Sequence, residues 1–118
     1  MYEFYRNVYQ GTAIEEEEFP ELLARAKDQL ALYRRSYRIE ANHQEEMMAL
    51  CAMAEVIGYF EAAQNGEGGL RYASVGTVSI SGKGIYSAID INPTAQAKQI
   101  YRAAERYLRI YRGCGGSA

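Results

Sequence analysis

From residue 19 onward the apolar side chains fall into a helical rhythm. Phe19, Leu22, Leu23, Ala26, Leu30, Tyr33 and Tyr37 recur at intervals of three and four, which puts them on one face of a helix. Glu15, Glu16, Glu17 and Glu18 stand just ahead of that face, where the unpaired N–H groups of a first turn favour carboxylates. Pro20 has no N–H to offer an interior ladder and is tolerated only near such a start. The pattern predicts a helix over 16–36. Its acidic run reads either as a solvated helix start or as an acidic contact patch.

A second helix is predicted over 43–64. Between Met47 and Ala63 the only charged residues are Glu55 and Glu61. Met47, Leu50, Cys51, Ala54 and Ile57 make one stripe; Ala49, Ala52, Met53, Val56, Phe60 and Ala63 make another. A helix apolar nearly all round is buried on several sides, and at ~1.5 Å per residue this one is roughly 30 Å long. It is therefore expected to be the central helix, or to be covered in part by a second subunit. Its methionines suit gap-filling better than ligation.

Residues 65–92 change character. Asn65-Gly66-Glu67-Gly68-Gly69 closes the helix with turn formers. Tyr72-Ala73-Ser74-Val75-Gly76-Thr77-Val78-Ser79-Ile80-Ser81 then reads as extended chain, hydroxyl residues alternating with Val78 and Ile80. Gly82-Lys83-Gly84 is a turn, and Ile85 to Ile91 a weaker extended stretch. A lone hairpin is marginal in water, so this segment must lean on the bundle or be completed by a partner. A last helix is predicted over 93–111, with Asn92 as N-cap, Pro93 in the first position and Gly113 past the end. Its expected buried face is Ala97, Ile100, Tyr101, Ala104, Tyr107, Leu108 and Tyr111. The tyrosines of Tyr2 to Tyr9 fit a strand or a short helix equally well. The fold class is accordingly mainly α: a small bundle of three principal helices, with an extended loop or minor β hairpin between the second and third.

Composition agrees with one ordinary globular domain: 118 residues, 48% hydrophobic and 24% charged. A net charge of −2 argues against a chain whose main work is gripping nucleic acid. The charge is unevenly spread, however. Residues 1–61 carry 6 basic and 12 acidic side chains, a net of −6, whereas residues 62–118 carry 7 and 3, a net of +4. No stretch approaches the roughly 20 apolar residues of a membrane span. Met1-Tyr2-Glu3-Phe4-Tyr5-Arg6 has neither the basic start nor the apolar run of a signal peptide, so the cytoplasm of the producing cell is the expected compartment.

Candidate chemistry is sparse. Cys51 falls in the apolar helical pattern and Cys114 in a glycine-rich tail, so neither a disulfide framework nor a metal knuckle is expected, and His43 is the single histidine. Gly76 to Gly84 echoes a phosphate loop but encloses five residues between its glycines and puts Gly84 where a hydroxyl should hold Mg²⁺. Glu45, Glu46 and Glu55 have no ExxH arrangement beside them and are expected to be solvated helix charges. No serine or cysteine has a histidine base close in sequence. Neither enzymatic activity nor a cofactor is expected. Lys98, Arg102, Arg106, Arg109 and Arg112, interleaved with Tyr101, Tyr107 and Tyr111, keep open a small helical DNA-binding module built on the basic C-terminal helix.

The order of elements nevertheless has a familiar look. Tyr5-Arg6-Asn7-Val8-Tyr9-Gln10-Gly11-Thr12 leads to Ile14, Glu18-Phe19 and Leu22-Leu23-Ala24-Arg25-Ala26, closing at Tyr37-Arg38-Ile39. Ala49-Leu50-Cys51-Ala52-Met53-Ala54-Glu55, then Ser74 to Ser81, then Tyr107-Leu108 with Tyr111-Arg112-Gly113 follow in order. Taken together these pieces resemble the head–tail connector (adaptor) proteins of long-tailed bacteriophages and prophages, over nearly the whole chain. Ser36 stands where that pattern suggests threonine, and the chain closes on a short Gly/Ser tail.

The resemblance implies a virion structural subunit, assembled in the bacterial host cytoplasm as a homo-oligomeric ring under the portal protein. Such a ring continues the DNA channel without sequence-specific binding and receives a tail-side stopper or completion protein. No membrane is involved. Residues 1–112 would form one connector-like domain, with 66–91 as a partner-contacting loop and 113–118 as a flexible tail. Tyr72, Ser74, Val75, Gly76, Thr77, Val78, Ser79 and Ile80 are the expected loop contacts. The charge polarity suggests that Glu15, Glu16, Glu17, Glu18 and Glu21 of one subunit face Arg102, Arg106 or Arg109 of the next, or that the two surfaces meet within one subunit.

Overall fold

The computed structural model describes residues 1–64 and 93–111. Among them, α1 spans Tyr2–Asn7, α2 Phe19–Ser36, β1 Arg38–Glu40, α3 His43–Gln64, α4 Pro93–Glu105 and β2 Arg109–Tyr111. The protein is mainly helical, and among the described residues α2, α3 and α4 are the three principal helices. The extended loop or hairpin expected over 66–91 and the tail at 113–118 lie outside the described residues.

The acidic run does not enter α2. Glu15 to Glu18 form a turn in which the N–H groups of Glu18 and Phe19 both donate to the Glu15 carbonyl, at 3.0 and 3.1 Å. Glu18 then stands at the N-cap, with Pro20 in the first turn. Phe19, Leu22, Leu23, Ala26 and Leu30 are buried as their spacing requires. The helix ends where Tyr37 turns to extended backbone (φ −132°, ψ 154°) and leads into β1.

Asn42 starts α3 with a reciprocal cap. Its Oδ1 accepts from the Glu45 N–H at 2.7 Å, while Glu45 Oε1 accepts from the Asn42 N–H at 2.9 Å, so two otherwise orphaned donors are satisfied. α3 packs against both α2 and α4 and is buried almost without a break from Ala49 to Phe60. That is the central position its nearly all-round apolar sequence predicts. Arg25–Glu61 at 3.4 Å and Arg34–Glu46 at 2.8 Å link α2 to α3 along its solvent edge.

The last element departs from expectation. α4 stops at Glu105 rather than running to 111, and residues 109–111 are a strand. β2 pairs antiparallel with β1 in the register Arg38↔Tyr111, Ile39↔Ile110 and Glu40↔Arg109. Ile110 is half-buried between exposed Arg109 and Tyr111, a two-residue alternation that a helix cannot satisfy but a strand can. On the helix itself Ala103 and Ala104 are fully buried, and Leu108 beyond it is also in the core. Ile100, Tyr101 and Tyr107 are half-buried, whereas Ala97 and Tyr111 are exposed. The expected face was thus set slightly off and extended too far.

The first fourteen residues form an arm over this bundle. Tyr2 to Tyr9 proves helical at its start, as α1. After α1 the backbone reverses at Gln10, whose φ is +64°, and the Gly11 N–H donates to the Tyr5 carbonyl at 2.9 Å. A Cβ on Gly11 would overlap the Tyr5 ring; only glycine lets the chain pass this close.

Candidate functional site

The most unusual chemistry of the described residues lies beneath that arm. Tyr5 is completely buried, and Glu55, from the middle of α3, is only 6% exposed. Tyr5 Oη accepts from the Ala13 and Ile14 N–H groups, each at 3.0 Å, and donates to Glu55 Oε2 at 2.7 Å. Tyr9 Oη lies 3.2 Å from the other carboxyl oxygen, Oε1. The Tyr5 ring stacks on Tyr9, with centroids 5.8 Å apart, and lies 5.1 Å from Phe19. Tyr2 closes the group: its hydroxyl donates to the Ile14 carbonyl at 2.9 Å and its ring meets Phe19 edge-on.

Electrostatics follow from burial. Desolvation raises the Glu55 pKa above the ordinary carboxylate value, opposed by the two phenol hydrogen bonds and by the charge of Arg106. Desolvation and the neighbouring Glu55 charge push the Tyr5 and Tyr9 phenols far up, so both stay neutral at any physiological pH. Cys51, one turn before Glu55, is pushed up to about 12 by burial and then by Glu55. It therefore stays a protonated thiol at neutral pH. The site is therefore a buried carboxyl able to take up a proton, held among phenols that stay neutral at physiological pH.

Glu55 corrects the expectation of a solvated helix charge. Its signal was present in the sequence: a lone carboxylate inside an otherwise apolar run belongs on a buried face, where a charge needs partners. Tyr5 and Tyr9, four residues apart, supply them. Glu45 is likewise more than a solvated charge. Besides its cap, it accepts from Arg109 Nη1 and Nη2, each at 3.4 Å, and these contacts lower its pKa, the Asn42 backbone contributing most. Glu46 is engaged by Arg34.

Of the residues expected at a charged interface, Glu15, Glu16, Glu17 and Glu21 are exposed at the entry to α2, and Glu18 is half-buried at its cap. Arg102 is exposed on the last turn of α4. Arg106 lies over the Tyr107 ring at 5.6 Å and acts electrostatically on Glu55. Arg109 is engaged with Glu45 of its own chain. The loop residues Tyr72, Ser74, Val75, Gly76, Thr77, Val78, Ser79 and Ile80 lie outside the described residues.

The tyrosines of the basic segment are mostly occupied. Tyr101 meets Tyr33 edge-on at 5.4 Å and Tyr37 at 6.1 Å, and Tyr107 meets Tyr9 edge-on at 6.3 Å. Burial pushes Tyr33 up to about 12. Tyr111 is half exposed, with the Arg38 guanidinium 5.9 Å above its ring. Among the described residues no three His, Cys, Asp or Glu side chains come together in a way that could hold a metal ion, and no helix is long and apolar enough to cross a membrane. The chain matches no protein-family model, no curated protein and no solved structure.

Proposed function

We propose that this chain is a bacteriophage or prophage virion protein, a head–tail connector (adaptor) subunit that assembles as a ring under the portal and joins the DNA-filled head to the tail. The observation that carries the proposal is the order of its motifs along nearly the whole chain. Phe19 to Ala26 and Ala49 to Glu55, the two best-defined pieces of that order, are the apolar cores of α2 and α3. The portal and a tail-side stopper or completion protein are the expected partners, and DNA passes through the ring without being read. In the assembled particle, loop residues such as Tyr72, Val75, Val78 and Ile80 supply apolar contacts and strand addition, while acidic Glu15 to Glu21 and basic Arg102 steer neighbours into register. Arg102 is the cleanest probe of that polarity, because Arg109 is already engaged with Glu45 and Arg106 acts on Glu55.

Deleting the gene from its phage or prophage tests this reading. Filled heads and free tails should accumulate unjoined, and the wild-type gene supplied in trans should restore infectious particles. Complementation with Arg102→Glu should restore fewer particles, although the purified variant unfolds at the wild-type urea concentration. Normal particles from the deletion would dismiss the connector assignment. Retention of the purified chain on duplex DNA, weakening steeply with salt, would favour the DNA-binding module instead.

A further inference from the structure

We propose that residues 1–14 form a proton-sensitive latch, seated through Tyr5 and Tyr9 on Glu55 and held most firmly when Glu55 carries a proton. The inference stands whether or not the chain is a connector. A phenol oxygen has one proton to give and two lone pairs to receive. Both lone pairs of Tyr5 Oη are taken by the Ala13 and Ile14 N–H groups, so its proton can go only to Glu55 Oε2. That bond has one direction in every protonation state.

The contact between Glu55 Oε1 and Tyr9 Oη, 3.2 Å apart, can run either way. With Glu55 ionised, Tyr9 must donate. When water supplies a proton to Oε1, Glu55 donates and Tyr9 accepts, so no bond is lost and no charge is left buried. Among the described residues, few other groups bear on the pair. Arg106 and Tyr107 face it from the turn after α4, Arg106 favouring the carboxylate and Tyr107 acting on Tyr9. Cys51 faces it from α3 and stays a neutral thiol. Arg106 lies at the exposed surface, where solvent screens it, so burial outweighs it.

The sign follows. Seating the arm takes Glu55 out of water and raises its titration midpoint, whereas releasing the arm returns the carboxyl to solvent and its ordinary value. Seating is therefore favoured while Glu55 is protonated and weakens as pH rises through the seated-state midpoint. The seating equilibrium changes tenfold for each pH unit by which seating moves that midpoint.

Two measurements on the full chain decide the matter. The carboxyl ¹³C resonance of Glu55 should titrate above the usual glutamate range. Over the same interval, the exchange protection of the Ala13 and Ile14 amides, corrected for intrinsic base catalysis, should fall by the factor that the measured displacement of that midpoint sets. Glu55→Gln keeps an acceptor for Tyr5 and a donor for Tyr9, so its Ala13 and Ile14 protection should be independent of pH. Tyr9→Phe removes a donor that the ionised form needs most, so the Glu55 midpoint should move up. An ordinary glutamate midpoint for Glu55, or amide protection that falls equally in wild type and Glu55→Gln, would overturn the latch. Should Glu55→Gln not fold, the wild-type carboxyl titration and the Tyr9→Phe shift decide it alone.

Discussion

A phenol oxygen that accepts from two backbone N–H groups and donates to a carboxyl, as Tyr5 does, takes three buried hydrogen bonds with it when it is removed. Each buried donor stranded in this way costs about 1–3 kcal/mol. Tyr5→Phe keeps the ring and its packing on Phe19, so its expected loss of about 3 kcal/mol in urea unfolding belongs to the hydroxyl alone. A loss under about 1 kcal/mol would mean that other acceptors replace it. None of this was legible in Tyr5 itself, because a tyrosine near a chain start gives no periodicity to read. Glu55 was more accessible: the isolation of its charge within an apolar helix was visible, and only the depth of its burial was misjudged. The phenols that satisfy it come from far away in sequence, and no local pattern links them to α3.

Among elements, α2 and α3 were readable because each follows one rule throughout. The apolar face of α2 keeps a single helical period, and α3 begins at an asparagine three residues ahead of a glutamate, a capping pair. Replacing Asn42 by alanine should lower stability by about 1 kcal/mol in chemical denaturation. It should also loosen Arg109, whose partner Glu45 is held by the same cap, and this would appear as faster exchange in β2. No change in either quantity would remove the cap from the account of how α3 starts. The end of α4 was not readable from period alone. Tyr107, Leu108 and Tyr111 continue the helical spacing of Ile100 and Ala104, while Arg109, Ile110 and Tyr111 also alternate as a strand does. The choice between these is made by Ile39, which offers Ile110 a cross-strand partner. That is a tertiary fact.

For the whole molecule, Glu55 and the buried phenols should make stability fall with rising pH in two well-separated ranges. Glu55 is raised in the folded chain, so its contribution is complete below the ordinary glutamate value and is lost as pH rises through its folded-state midpoint. Tyr33, raised from 10.0 to about 12, together with Tyr5 and Tyr9, contributes in full below pH 10.0 and loses that contribution above it. Glu55→Gln should abolish the first step and keep the second, so the variant should be the more stable protein at pH 8 by thermal unfolding. Equal slopes for the two proteins between pH 5 and pH 8 would show that Glu55 ionises in the fold as freely as outside it. The small sheet carries a different consequence, concerning order in time. β1 lies between the first two principal helices, yet its partner follows the third. A chain growing from its N-terminus therefore makes β1 well before the residues of β2 exist. Open strand edges invite wrong pairing, and flanking charge discourages it. Arg38 and Glu40, bridged to each other at 2.9 Å in the folded chain, bracket Ile39 with charge of the kind that discourages such pairing before β2 is made.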